Sequence, residues 1–251
     1  MPLSPPLPWA EMVAVFSAVA VAYVIFGIAG FGTALIASPI LANFMPVSHI
    51  VPLLALLDMF AALSHIAKDG RHADTSELKR LVPFMVIGSV IGVAILLKTR
   101  PDFLLLALAV FVIGYALYAL SGFRARQSFA ASAAKPFGLI GGVFSALFGS
   151  GGFIYALYLS GRIEQKEKFR VTQSTLIGLS TLTRVVFFTI SGVYMNTAIW
   201  TMALILAPAM IFGVFLGRHI TLRLTREQFM RVIHMVVLCS GVFLLIRYFN
   251  L

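Results

Sequence analysis

FGIAGFGTALIAS at residues 26–38 aligns without a gap to FGSGGFIYALYLS at residues 148–160. Seven of thirteen positions match: Phe26, Gly27, Gly30, Phe31, Ala34, Leu35 and Ser38 pair with Phe148, Gly149, Gly152, Phe153, Ala156, Leu157 and Ser160. The correspondence continues in the same order. Pro83, Gly88 and Gly92 repeat the spacing of Pro208, Gly213 and Gly217, and Arg100 and Phe103 match Arg226 and Phe229. Two related halves follow, 1–121 and 137–251, joined by a linker at 122–136 that carries Arg124, Arg126 and Lys135.

The solvent for these halves is a bilayer. Mean hydropathy is +0.99, 60% of the 251 residues are hydrophobic and 11% are charged, against about 25% charged in soluble domains. Apolar segments cover 10–27, 31–44, 49–67, 81–97, 102–121, 137–149, 151–160, 169–191, 197–217 and 228–249. Spanning takes about 20 residues, so 31–44, 137–149 and 151–160 fall short. Each adjoins a glycine cluster, which points to broken or re-entrant helices whose freed backbone groups line a polar cavity. The net charge of +10 lies in short runs between apolar segments, not along a nucleic-acid-binding stripe. Cys239 is the one cysteine, which excludes an intrachain disulfide. MPLSPPLPWAE lacks the basic start of a signal peptide, so the first apolar segment is expected to be kept.

Charge orders the topology. With each broken segment counted as two elements, one side holds Lys68, Arg71, Lys79, Arg80, Arg124, Arg126, Lys135, Arg162, Lys166, Lys168, Arg170, Arg218, Arg223, Arg226 and Arg231, fifteen cations; the other holds Lys98, Arg100 and Arg247. Counted as single crossings, the same residues split nearly evenly. The positive-inside rule favours the first arrangement, with both termini outside the cytoplasm of a bacterial inner membrane. An odd number of elements per half then gives an all-α polytopic protein of two inverted-topology repeats. Each repeat holds a glycine-broken or re-entrant helix pair plus three transmembrane helices.

The breaks are the first candidates for chemistry. A helix starting at mid-membrane points free N–H groups and a positive dipole end into the cavity, and two such starts make an anion site. Gly30, Gly32 and Thr33 are the candidates in one half; Gly149, Ser150, Gly151 and Gly152 are those in the other. The competing reading is that the glycines only let helices approach closely, and it is the better one for Gly88, Gly92, Gly213 and Gly217 in unbroken helices. Arg184 lies about 10 Å deep, seven residues from a helix end, where an arginine faces a cavity or a counter-charge. It either binds an anion through two parallel hydrogen bonds or pairs with Asp58, whose depth agrees within about 4 Å. Asp58 is otherwise a proton-coupling carboxylate. Gln173, Ser174, Thr175, Ser180, Thr181 and Thr183 make the Arg184 helix polar; they line a path or hydrogen-bond between helices. The histidines show no metal-ligand spacing, and KDGRHADTSELKR (68–80) reads as a solvated connection. Metalloprotease, P-loop and nucleophile-elbow motifs are missing, so neither an enzyme nor a cofactor is expected.

FGIAGFGTALIASPIL, FGSGGFIYALYL and the later proline and glycine positions resemble the TauE/SafE family, the sulfite exporter and 4-toluenesulfonate uptake permease group, over nearly the whole chain. The resemblance implies two homologous halves, each with a glycine-rich motif, and the movement of sulfite, sulfonates and related organosulfur anions. Thr33 follows Gly32 where a longer glycine run is common, and Pro39 has no partner after Ser160; both leave the substrate open. The expectation is a secondary transporter of a small, sulfur-containing anion, working by alternating access in the lipid bilayer without nucleic acid. Export is the easier direction, since an interior-negative potential drives anions out with about 2.3 kcal/mol per charge per 100 mV. The rivals are a cation or amino-acid exporter, which needs acids at its site, and a non-transporting scaffold, which needs no repeated breaks. Coupling ion and oligomeric state stay open.

Overall fold

The computed structural model describes residues 8–29, 32–69, 73–121, 129–219 and 226–249. Gly30, His72 and the cations Arg71, Arg124, Arg126 and Arg223 lie outside them. Among the described residues there are ten α-helices and no strand: α1 Trp9–Ala29, α2 Thr33–Leu41, α3 Val47–Asp69, α4 Thr75–Lys98, α5 Pro101–Leu120, α6 Ala134–Phe148, α7 Gly152–Ser160, α8 Lys166–Ile190, α9 Thr197–His219 and α10 Arg226–Phe249.

Six stretches of these helices are long and apolar enough to cross a membrane: Trp9–Gly27, Thr75–Lys98, Pro101–Leu120, Ala131–Phe148, Val171–Ile190 and Thr197–Gly217. Their outer faces agree. On α9, Leu204, Ile211, Phe212 and Phe215 recur at helical spacing, and Leu204 is 73% exposed, an arrangement that lipid accepts and water penalises. The protein is a multi-pass membrane protein. One expectation needs correction. The 137–149 segment is not too short to span, because helical structure starts at Ala131 with a 3-10 turn and runs on into α6. Pro136 sits in the first turn of α6, where its missing N–H breaks no helical bond.

Both breaks are present, and the two helices that follow them, α2 and α7, have nine residues each. At about 1.5 Å per residue, each reaches only about 13 Å, half the hydrocarbon thickness. The breaks do not share the register of the aligned motifs. Gly27 pairs with Gly149 in sequence, yet Gly27 continues α1 while Gly149 ends α6 in the left-handed region at φ 68°. The left-handed glycine of the first break is Gly32, φ 97°.

The chain divides into two compact units, one of residues 1–50, 99–124 and 204–251, the other of 51–98 and 125–203. In the first, α9 packs on α1. A Cβ at Gly213 would lie 2.6 Å from the Ala20 carbonyl oxygen, and one at Gly27 would lie 2.9 Å from Gly217 Cα. Gly241 of α10 sits equally tight against Ile113 of α5. In α2 every residue except Ile40 is buried, as a half-length helix kept from lipid must be. The Asn43 amide ends α2 by donating to the Pro39 and Ile40 carbonyl oxygens at 3.2 and 3.1 Å. In the second unit, α4 packs on α6 by the same device. A Cβ at Gly92 would lie 2.7 Å from the Val143 carbonyl oxygen, and Gly88, Gly138 and Gly142 also meet neighbouring backbone. The packing reading of Gly88, Gly92, Gly213 and Gly217 is what this geometry requires.

Candidate functional site

In the first unit the break supplies Gly32 and Thr33. A Cβ on Gly32 would meet nothing within 4 Å, so its positive φ, not space, calls for glycine there. Thr33, at the start of α2, is buried.

In the second unit Gly149 closes α6. Its N–H donates to the Ser145 carbonyl oxygen at 2.8 Å, and the Ser150 N–H reaches Phe144 at 3.5 Å, a glycine-terminated helix end. The Ser150 hydroxyl donates to the Phe148 carbonyl oxygen at 3.1 Å. A Cβ at Gly151 would press on the Gly141 carbonyl oxygen and lie 2.8 Å from Ser145 Cβ; one at Gly152 would lie 3.1 Å from Ile177 Cδ1. The close approach of α6 leaves no room for a side chain at Gly151.

The same unit holds the buried charges. Arg184 on α8 is 2% exposed and Asp58 on α3 is 7% exposed. Arg184 Nη2 donates to Thr181 Oγ1 at 3.0 Å and lies 3.7 Å from Asp58 Oδ2. The proximity inferred from helix depth is real, but the pair is loose, beyond hydrogen-bond length. Arg184 Nε and Nη1 have no hydrogen-bond partner among the described residues. One turn before Arg184 on α8, Ser180 shares a hydrogen bond with Ser145 at 2.7 Å, and the Tyr155 hydroxyl stands 3.5 Å from Ser180 Oγ. Tyr194 is anchored by its hydroxyl to the Pro52 carbonyl oxygen at 3.0 Å. The guanidinium is within electrostatic reach of the Tyr155 and Tyr194 hydroxyls.

The structure does not bring every candidate together. Gln173, Ser174 and Thr175 are nine to eleven residues from Arg184, about 13–17 Å along α8, too far to share one small anion with it. Thr172, one turn before Thr175, instead accepts the Asp74 N–H at 2.8 Å.

Sequence reasoning missed a second cluster of charge in this unit. Residues 75–80 are not a solvated connection but the first turns of α4, and Glu77 is buried. Glu77 Oε1 accepts from Arg80 Nη1 at 2.7 Å and from Arg162 Nη2 and Nε at 2.9 and 3.1 Å; Oε2 accepts from the Tyr158 hydroxyl at 2.7 Å. The signal was the Asp74-x-x-Glu77 spacing of a helix start. Asp74 Oδ1 takes the Ser76 and Glu77 N–H groups at 3.0 and 3.3 Å, and Lys168 Nζ lies 2.9 Å from Asp74 Oδ2. The Lys168 hydrogen bond leads the effects that hold the Asp74 carboxyl below its ordinary range. Among the described residues no group of three His, Cys, Asp or Glu side chains is placed to hold a metal ion.

Neither the curated proteins nor the solved structures yielded a match to the chain. Residues 15–244, most of its length, match the family model described as Sulfite exporter TauE/SafE, a family of membrane transporters of sulfite or related anions. On that match the chain belongs to the sulfite exporter TauE/SafE family.

Proposed function

We propose that the protein is a secondary transporter that exports sulfite, a sulfonate or another organosulfur anion across a bacterial inner membrane by alternating access. The observation that carries this reading is Arg184, a buried cation with two nitrogens left unpartnered among the described residues. A guanidinium in an apolar interior needs acceptors, and an oxyanion brings them with the complementary charge. Asp58 balances Arg184 while the site is empty and loosely enough to let the anion compete. Asp58 is also the proposed coupling carboxylate. The starts of α2 at Thr33 and of α7 at Gly152 offer helix N-terminal N–H groups as further donors within their own units. The inverted repeat and the external placement of both termini rest on the fifteen-to-three split of cations and the positive-inside rule; a C-terminal reporter active only in the cytoplasm would contradict them.

The test is flux. Purified protein in proteoliposomes is assayed with sulfite, sulfate, methanesulfonate and acetate. The wild type is expected to carry sulfite or the sulfonate, and Arg184→Lys, which keeps the charge but loses the fork, to slow it about tenfold or more while staying monodisperse. A wild type that moves none of these anions, or an Arg184→Lys variant that equals it, contradicts the reading.

A further inference from the structure

Tyr155 is fully buried on α7, and its ring lies against the bare backbone of Gly141. That seat fixes where the hydroxyl goes. Its one hydrogen-bond contact among the described residues is Ser180 Oγ at 3.5 Å, well beyond the usual 2.7–2.8 Å of an O–H···O bond. Ser180 already pairs with Ser145 at 2.7 Å. Three hydroxyls carry three protons, and the two contacts among them use two. One proton of the chain is left without an acceptor. Arg184 stands four residues beyond Ser180, on the same face of α8, and its unpartnered Nε and Nη1 carry three more N–H donors. Beside the Asp58 carboxylate, which stands at Nη2, the neighbourhood thus holds a surplus of donors that no described residue accepts. A water molecule does not remove that surplus, because it brings two protons with each oxygen. An oxyanion brings acceptors only.

We propose that Tyr155 is a further anion-binding residue, its hydroxyl completing with the Arg184 guanidinium a donor set that takes a small oxyanion. The inference rests on the reading of Arg184 as the anion site. Tyr155 supplies a neutral donor beside the charged one. It strengthens binding without adding a second charge that would hold the anion too firmly for release.

The test is Tyr155→Phe in full-length purified protein, with methanesulfonate and sulfite as probes in isothermal titration calorimetry. Phenylalanine keeps the ring on Gly141. The Kd for methanesulfonate is expected to rise about tenfold, as for loss of one hydrogen bond to a charged group. The thermal midpoint of the ligand-free protein is expected to hold or rise, because a surplus buried donor has gone. An unchanged Kd overturns the proposal, as does a fall in the ligand-free midpoint with unchanged affinity, which marks a structural hydroxyl. Should Tyr155→Phe fail to stay monodisperse, 3-fluorotyrosine placed at 155 keeps the hydroxyl. Its fluorine resonance is expected to shift saturably with methanesulfonate, and no shift overturns the proposal. A wild type that binds neither probe defeats the reading of Arg184 itself; binding by the wild type with an unaffected Tyr155→Phe defeats only the role of Tyr155.

Discussion

Asp58→Asn separates the two things Asp58 does to Arg184. The carboxylate oxygen lies 3.7 Å from Arg184 Nη2, where Coulomb attraction at an effective dielectric constant of about 20 comes to about 4 kcal/mol. Desolvation costs several kcal/mol per buried ion, so the pair is near balance and easily exchanged. Removing one partner leaves a buried charge uncompensated, and the ligand-free protein is expected to lose about 3–5 kcal/mol of stability. The effect on the anion has the opposite sign. An anion held by Nη1 lies across the guanidinium from Asp58, about 7 Å away, where repulsion at the same dielectric is about 2.4 kcal/mol. Asp58→Asn is therefore expected to tighten anion binding by up to about fiftyfold, with slower turnover because release is harder. Calorimetry with methanesulfonate, thermal unfolding with and without it, and proteoliposome flux measure the three quantities. Saturating anion should restore more stability to the variant than to the wild type. If Asp58→Asn leaves the affinity within about twofold of wild type or weakens it, Asp58 does not compete with the anion for Arg184.

Gly142→Val is expected to cost the fold, because its Cβ would strike the Met85 carbonyl oxygen, whereas Gly32→Ala has open space and loses only the roughly 1–2 kcal/mol of a left-handed alanine; size-exclusion profiles and thermal midpoints distinguish the two. Glu77→Gln should destabilise by about 1–3 kcal/mol, since Arg162 and Arg80, both partly exposed, lose charge-assisted bonds to one buried carboxylate, and Tyr158→Phe by less; equal midpoints for Glu77→Gln and wild type would refute the cluster's structural role. The Asp74 carboxyl is held below its ordinary value of 3.8, so its contribution is complete above that value and is lost as pH falls through the lower folded-state value. The midpoint gap between wild type and Asp74→Asn should therefore be constant from about pH 6 to pH 8 and close below about pH 4; a gap that widens on acidification contradicts the sign.

What could be read from the sequence depended on how local its signal was. The two breaks were legible because glycine marks left-handed backbone, as at Gly32 and Gly149. The four-residue glycine spacings in α4 and α9 were legible because helical periodicity puts both residues on one face. Arg184 and Asp58 could be matched by depth, since each is the one acidic or basic side chain, histidine aside, of its apolar stretch, Val171–Ile190 and Val47–Phe60. The register of the breaks was not legible. Gly27 and Gly149 both follow a phenylalanine in the aligned motifs but have opposite fates, and Gly217 packs on the Gly27 that stays helical. The packing at Gly151 was not legible either, because only the folded chain brings Gly141 beneath it. The Glu77 cluster joins residues 81 and 85 positions apart, contacts that leave no periodic trace. Tyr155 was hidden because an aromatic residue in an apolar run gives no sign of where its hydroxyl ends.

The anion at Arg184 can be located directly. Crystals of the wild-type protein grown with 2-bromoethanesulfonate would place the sulfonate through the anomalous signal of its bromine. The expected result is sulfonate density within hydrogen-bond distance of Arg184 Nη1 or Nε, with Asp58 still beside Nη2. Sulfonate density bound elsewhere in the protein, with those two nitrogens occupied by water or protein, would contradict the assignment of Arg184 as the anion site.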